Sequence, residues 1–153
     1  MPTSSVGRAS NTRSGVTLIE MMIVVVLVSL IVGISFPAVS AGLDSVRLAS
    51  ASTSIASFLA GAITRAERRQ EGMEVSILPA ENVLRLRSAD PRFERVLELP
   101  TGAKIQGGAR WFLLLPGGPP PRMAIEIASP RGSRRLVRVD PVTGVPQVER
   151  PPQ

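Results

Sequence analysis

A single carboxylate, Glu20, interrupts an otherwise uncharged apolar run over residues 16–36. A charged side chain in a membrane-spanning helix costs about 3 kcal/mol at the bilayer centre, so such a residue needs a partner and marks a functional site. Arg8 and Arg13 precede the run, and no acidic residue accompanies them. Because positive residues flanking a span stay on the cytoplasmic side, the rest of the chain is predicted to lie outside.

A second candidate site is a cluster of four arginines within eight residues, Arg131, Arg134, Arg135 and Arg138. In a strand, Arg134 and Arg138 share one face and Arg135 points to the other. Such a cluster could contact nucleic-acid phosphates without reading the base sequence. We favour the alternative of a solvated edge strand whose charges prevent sheet-to-sheet aggregation. The net charge is +6, but acidic and basic residues are mixed along the chain, which also favours a solvated surface.

Composition excludes several kinds of catalytic site. The chain has no cysteine and no histidine, which rules out Cys–His nucleophiles, a Ser–His–Asp triad and soft-metal sites. Glu67 and Glu71 lie one helical turn apart, and ion pairing with Arg65 and Arg68 explains them better than catalysis does. The Gly-x-x-x-x-Gly-Lys phosphate loop is absent. We therefore predict a protein that is not an enzyme and has no cofactor.

The apolar run itself has the length of a helix that crosses a bilayer core of about 30 Å. Three explanations compete. A secretory signal peptide is suggested by the small residues Val39-Ser40-Ala41, but the run is long for one and contains Glu20. An ordinary membrane anchor leaves Glu20 unexplained. The third explanation, which gives Glu20 a role, comes from a family resemblance of residues 15–20 that is described below.

The next segment, residues 37–72, is predicted to continue as an amphipathic helix. Pro37 should kink or loosen the helix near its start, and Gly72 is a helix-stop residue. Apolar residues recur at helical spacing and form one stripe for core contact: Ile55, Phe58, Leu59, Ala62, Ile63 and Ala66.

After Gly72 the periodicity indicates strands. Seven are predicted, over residues 73–78, 83–87, 93–99, 111–115, 123–128, 134–139 and 145–148. The continuous apolar run 111–115 predicts a central strand, with Trp111 in the core. Turns are predicted at 100–102, 117–121, 129–133 and 140–144. Residues 73–150 thus form a β-rich domain, and residues 151–153 a tail.

The residues Gly15-Val16-Thr17-Leu18-Ile19-Glu20 resemble the prepilin peptidase site of the type IV pilin superfamily. The resemblance implies that the basic leader, residues 1–15, is cut off between Gly15 and Val16. It also implies N-methylation of Val16, where the family usually has Phe, and a role for Glu20 in assembly. The implied fold is α+β and pilin-like: a long N-terminal helix, membrane-spanning over 16–36, packed on a C-terminal antiparallel sheet domain.

Within the superfamily, the chain looks most similar to minor pseudopilins of the H type. This implies a structural subunit of the type II secretion pseudopilus, which helps push folded proteins across the outer membrane. The implied partners are other pseudopilins or pilins, the prepilin peptidase, the inner-membrane assembly platform and the bacterial inner membrane, with the globular domain periplasmic. The alternative is a minor type IV pilin that binds DNA for uptake. The calcium loop of major pseudopilins is not expected, because the acids after Leu99 are scattered: Glu126, Asp140 and Glu149.

Overall fold

The computed structural model describes residues 16–150, which contain one helix and eight strands. The helix α1 spans Leu18–Arg69, and the strands are β1 Met73–Leu78, β2 Val83–Ser88, β3 Glu94–Glu98, β4 Lys104–Ile105, β5 Arg110–Leu114, β6 Ala124–Ala128, β7 Arg134–Val139 and β8 Pro146–Glu149. The α+β, pilin-like class with antiparallel sheets is confirmed. The leader 1–15 and the tail 151–153 lie outside the described residues.

Two compact units make up the chain, with the boundary between Val39 and Ser40. In the first unit, α1 exposes its apolar side chains. The second unit contains the rest of α1 and all eight strands. The helix assignment continues without interruption through Pro37.

The apolar stripe on the second part of α1 is buried, as its spacing predicted. Ile55, Leu59 and Ala62 are at most 1% exposed, and the stripe extends back to Leu48 and Ala51. Its exposed flanks carry small polar residues and arginines. Truncating a buried Ile or Leu to Ala typically costs about 2–5 kcal/mol, so this stripe is a principal source of stability.

The end of α1 differs from the prediction at Gly72. The helix stops at Arg69, and Gln70 takes the left-handed conformation with φ of 53°. The Glu71 N–H then donates to the Ala66 carbonyl at 3.3 Å, which satisfies a helix-end carbonyl in the Schellman arrangement. Gly72 is therefore not the residue that ends the helix; a non-glycine residue performs this turn two positions earlier.

The first sheet has the order β3-β2-β1-β5 and is antiparallel throughout. Its inner face presents buried residues such as Val75 and Leu86 to the core. The prediction of a central strand at 111–115 is wrong, because β5 pairs only with β1 and lies at the edge. Trp111 is 69% exposed rather than in the core. An apolar run alone cannot distinguish a strand covered on both faces from an edge strand with one bare face.

The second sheet has the order β4-β6-β7-β8 and is also antiparallel. Its strand β4 was not predicted, since a two-residue strand carries no periodic pattern. Asn82 lies in the turn between β1 and β2 of the first sheet, with φ of 59°, and its side chain holds the segment around β4 in place. Its side chain accepts a hydrogen bond from Ile105 N–H at 3.0 Å and donates one to the Ala103 carbonyl at 2.8 Å.

The turn between β7 and β8 is built around Asp140. Its carboxylate accepts hydrogen bonds from the backbone N–H groups of Thr143 at 2.9 Å and Val142 at 2.8 Å. These bonds favour the ionised form and lower the pKa of Asp140 below its ordinary value of 3.8. Gly144 closes the turn at φ 70°, so the predicted turn at 140–144 is confirmed.

Candidate functional site

The first turn of α1 positions Glu20. Thr17 is the N-cap residue: its carbonyl accepts the Met21 N–H at 3.2 Å, and its hydroxyl accepts the Glu20 N–H at 3.3 Å. This is one half of the Thr-x-x-Glu capping box, in which a hydroxyl satisfies an N–H that has no helical partner. Glu20 lies exposed in the first turn, where the helix dipole favours a negative charge.

The surface that follows Glu20 is apolar and bare. Leu18–Phe36 has a mean hydropathy of 2.7 and none of it is buried. Its 19 residues extend about 28 Å at 1.5 Å per residue, close to the thickness of a bilayer core. The Ser29 hydroxyl donates to the Val25 carbonyl at 2.7 Å, so the helix satisfies this polar group internally.

A second stretch, Gly42–Arg69, is also long and apolar enough to cross a membrane by length and composition. It has a lower mean hydropathy of 1.3, and 39% of it is buried. This part of α1 is the core helix of the globular unit. The combination of exposure and high hydropathy occurs at Leu18–Phe36.

The positions predicted for cleavage and methylation, Gly15 and Val16, lie on either side of the start of the described residues. Val16 is 62% exposed and directly precedes the N-cap. Gly15 lies outside the described residues. Val16 is four residues before Glu20 and lies outside the regular helix, which begins at Leu18.

Three of the clustered arginines lie on β7, and two of these pair with carboxylates on the neighbouring strands. Arg134 contacts Glu126 of β6 at 3.2 Å, and Arg138 contacts Glu149 of β8 at 4.0 Å. Since β7 lies between β6 and β8, the interpretation of these charges as protection for an edge strand is wrong. They instead form cross-strand pairs, each worth roughly 0.2–1 kcal/mol.

The other two arginines are separated from that face. Arg135 points to the inner face of β7 and is half-buried. Arg131 reaches α1, where it contacts Asp44 at 3.4 Å and donates a hydrogen bond to the Ser40 hydroxyl at 2.6 Å. The four side chains therefore do not form one free cationic surface.

Glu67, which was considered as a catalytic candidate, also has a structural contact. Glu67 accepts a hydrogen bond from the Gly117 backbone N–H at 2.9 Å, which replaces the predicted ion pairing with arginine. Arg65 lies over the Phe93 ring, 3.7 Å from its centroid. Within residues 16–150, no group of three or more Asp or Glu residues is arranged to hold a metal ion.

Sequence reasoning missed an exposed apolar surface on β5, formed by Trp111, Leu113 and Leu115. No pattern in the sequence marks this run as exposed, because the information lies in which strand pairs with β5.

A family model for the prokaryotic N-terminal methylation motif matches residues 10–36. The match covers Gly15, Val16, Glu20 and the apolar helix. No match was found among curated proteins or among solved structures. The motif indicates a type IV pilin-like or pseudopilin protein and does not distinguish between pilus and secretion systems.

Proposed function

We propose that this chain, which has the N-terminal methylation motif of pilin-like proteins, is a structural minor pseudopilin of a type II secretion system. The observation that carries the proposal is a carboxylate in the first turn of a bare apolar helix, inside the matched segment 10–36. In this function the leader 1–15 is removed by a prepilin peptidase. Val16 then becomes the methylated N-terminus, and residues 16–36 span the inner membrane.

The chemistry of assembly follows from charge in a medium of low dielectric constant. Cleavage after Gly15 creates an α-amino group, which is protonated at neutral pH. A cation and a carboxylate that are buried together compensate for each other's loss of hydration, whereas either alone is strongly unfavourable. Pairing the Val16 amino group of one subunit with Glu20 of its neighbour therefore drives association and fixes the axial offset between subunits.

The globular unit would then lie in the periplasm as part of a short filament. Its partners would be other pseudopilins and the inner-membrane assembly platform, with the driving force supplied by a cytoplasmic ATPase elsewhere in the system. Pushing folded proteins through an outer-membrane pore requires rigid subunits rather than a catalytic site.

A minor type IV pilin that binds DNA has less support. Arg131, Arg134 and Arg138 are engaged by carboxylates, and phosphate binding would have to displace them. Deleting the gene and measuring both protein secretion and DNA uptake separates the two functions: loss of secretion supports our proposal, and loss of uptake alone contradicts it.

Processing is tested by the intact mass of the protein extracted from membranes. We expect a chain that begins at Val16 and has a methylated amino group. A chain that begins at Gly42 would show cleavage by ordinary signal peptidase after Ala41 and would overturn the proposal.

A further inference from the structure

A recess lies where strand β6 begins and strand β7 ends. Its volume is about 240 Å³, and two arginines, Arg122 and Arg138, line it. Both arginine side chains are exposed, so the recess opens at the surface. Met123 and Val139, which are 2% and 0% exposed, contribute apolar lining. The recess therefore combines two cations with an apolar surface.

Hydrogen bonds hold the backbone around the two arginines. The Met123 N–H donates to the Pro121 carbonyl at 2.9 Å, which closes a three-residue turn with Arg122 at its centre. The Val139 N–H donates to the Met123 carbonyl at 3.1 Å and joins the end of β7 to the start of β6. Because these backbone positions are fixed before a ligand arrives, binding loses less conformational entropy.

The turn between β7 and β8 forms another side of the recess through Pro141. The neighbouring Asp140 carboxylate accepts hydrogen bonds from the N–H groups of Val142 and Thr143 inside this turn. Its negative charge is therefore stabilised by its own turn rather than by the arginines of the recess.

The charges of the two arginines are only partly compensated. Arg122 forms no ion pair with any residue of the segment 16–150. Arg138 contacts Glu149 at 4.0 Å, and both of these side chains are substantially exposed. An exposed ion pair contributes little, because water and salt screen it and two long side chains must be ordered. An incoming anion can therefore displace Glu149 from Arg138 at small cost.

We propose that this recess binds a carboxylate carried on an apolar group of about the size of one amino-acid side chain. The planar guanidinium group matches the two oxygens of a carboxylate and can bind both at once. The apolar lining favours a ligand with a hydrocarbon part, which a small inorganic anion lacks. The volume is below the roughly 300–1,000 Å³ of sites for drug-sized ligands, so a single small group fits. This site does not depend on leader cleavage or on the assembly contact at Glu20.

Methyl NMR of the full-length protein in an uncharged detergent tests the proposal. The methionine methyl groups are isotopically labelled, and the probe is N-acetyl-leucine, which has one carboxylate and one apolar side chain. The Met123 resonance, identified with Met123→Leu, should shift during the titration because this side chain lines the recess. The Met73 resonance should not shift, since Met73 is buried in the core and does not line the recess.

Two related probes separate the two parts of the ligand. N-acetyl-leucine amide keeps the apolar group and lacks the charge, whereas acetate keeps the charge and lacks the apolar group. Each should bind at least about tenfold more weakly than N-acetyl-leucine, because a charge-assisted hydrogen bond and a buried leucine side chain each contribute about that factor or more.

Substitution of the arginines gives a second measurement. Arg122→Gln and Arg138→Gln should each weaken the binding of N-acetyl-leucine about tenfold or more, since each removes a charged donor. Arg92→Gln is the matched control, because it removes one positive charge from a side chain that is 92% exposed and lies between β2 and β3 of the other sheet. Its affinity for N-acetyl-leucine should be unchanged.

A free organic acid and the C-terminus of a polypeptide can present the same chemical group. An N-acetylated peptide of three glycines followed by a C-terminal leucine distinguishes these sources. Tighter binding of this peptide than of N-acetyl-leucine assigns the recess to a polypeptide C-terminus. Equal or weaker binding assigns it to a free acid.

Several outcomes would overturn the inference. The Met123 resonance could stay unmoved, or the amide or acetate could bind as tightly as N-acetyl-leucine. Unchanged affinity in Arg122→Gln or Arg138→Gln, or an equal loss in Arg92→Gln, would also contradict it. The intact mass of the same protein reports separately on the proposed function: an unprocessed chain contradicts that function and leaves the result at the recess unaffected.

Discussion

The substitution Glu20→Gln separates the charge of the site from its shape. Glutamine keeps the size and polarity of the side chain and removes only the negative charge. The backbone N–H of residue 20 still donates to the Thr17 hydroxyl, so the helix start keeps its cap. Membrane insertion should be normal or improved, because a neutral amide costs less in lipid than a carboxylate does.

The expected effect on assembly is much larger than any local effect. Losing the interaction of a first-turn carboxylate with the helix dipole costs about 0.3–1 kcal/mol. Losing one partner of a buried ion pair costs about 3–5 kcal/mol. At 1.4 kcal/mol per factor of ten, the second loss weakens subunit association roughly one hundred- to several-thousand-fold.

Thr17→Val provides the matched control for this measurement. It removes the capping hydroxyl, typically worth about 1 kcal/mol, and leaves the Glu20 carboxylate in place. Its effect on association should therefore be about fivefold. Both variants are assayed by co-purification of the tagged full-length protein with a neighbouring subunit from membranes, together with secretion and intact mass.

Two results would refute this reasoning. Normal co-purification and normal secretion with Glu20→Gln would show that the carboxylate is not the assembly contact. An equally severe defect in Thr17→Val would show that the helix start, rather than the charge, is what assembly requires. Cleavage after Gly15 should continue in both variants.

Three further predictions concern the globular unit. Asn82→Ala should lower the free energy of unfolding by about 2–4 kcal/mol, measured in a urea titration. Two hydrogen bonds of about 0.5–1.5 kcal/mol each are lost, and alanine is strained by about 1 kcal/mol at the positive φ of this position. Asn82→Asp, which keeps one acceptor and tolerates this φ, should lose less. Asp140→Asn should melt at a lower temperature than the wild type at neutral pH. Because the pKa of Asp140 is lowered in the folded state, the stability that its carboxylate contributes is complete at pH values above 3.8 and is lost as the pH falls through the lowered pKa. The melting temperatures of the two proteins should therefore converge in acid. The wild type should not bind DNA measurably at near-physiological salt, and micromolar affinity there would show that the proposed order of functions is wrong. In that case, replacing Arg134 and Arg135 with Ala should reduce the slope of log K against log salt by about one unit per lost phosphate contact.

The features predictable from the sequence are those determined by local periodicity. The stripe around Ile55 and Leu59 repeats at helical spacing and is buried. Alternating patterns, and one continuous apolar run, located seven of the eight strands to within one or two residues. Glu20 was selected from the sequence as a candidate site, because a lone charge in an apolar run is a local signal; its role in assembly stays a prediction.

The features that could not be predicted depend on contacts between distant residues. Strand β5 lies at the edge because it pairs with β1 alone. The amino-acid types of residues 110–114 do not indicate this pairing. Strand β4 exists because Asn82 holds it from 23 residues away. The arginine cluster was recognised, but its carboxylate partners, such as Asp44, lie on other elements.

The order of strands in the two sheets has a consequence for export. Strand β4 is made before β5 but belongs to the second sheet, whose next strand, β6, begins only at Ala124. If the segment after the apolar helix crosses the membrane in chain order, as proposed, β4 emerges before any strand with which it can pair. The first sheet can be completed once β5 has emerged, whereas the second sheet remains incomplete until β8 has emerged. In the proposed function, the globular unit therefore reaches its final structure only after β8 has crossed the membrane, and a subunit stays incompletely folded and unready for assembly until then.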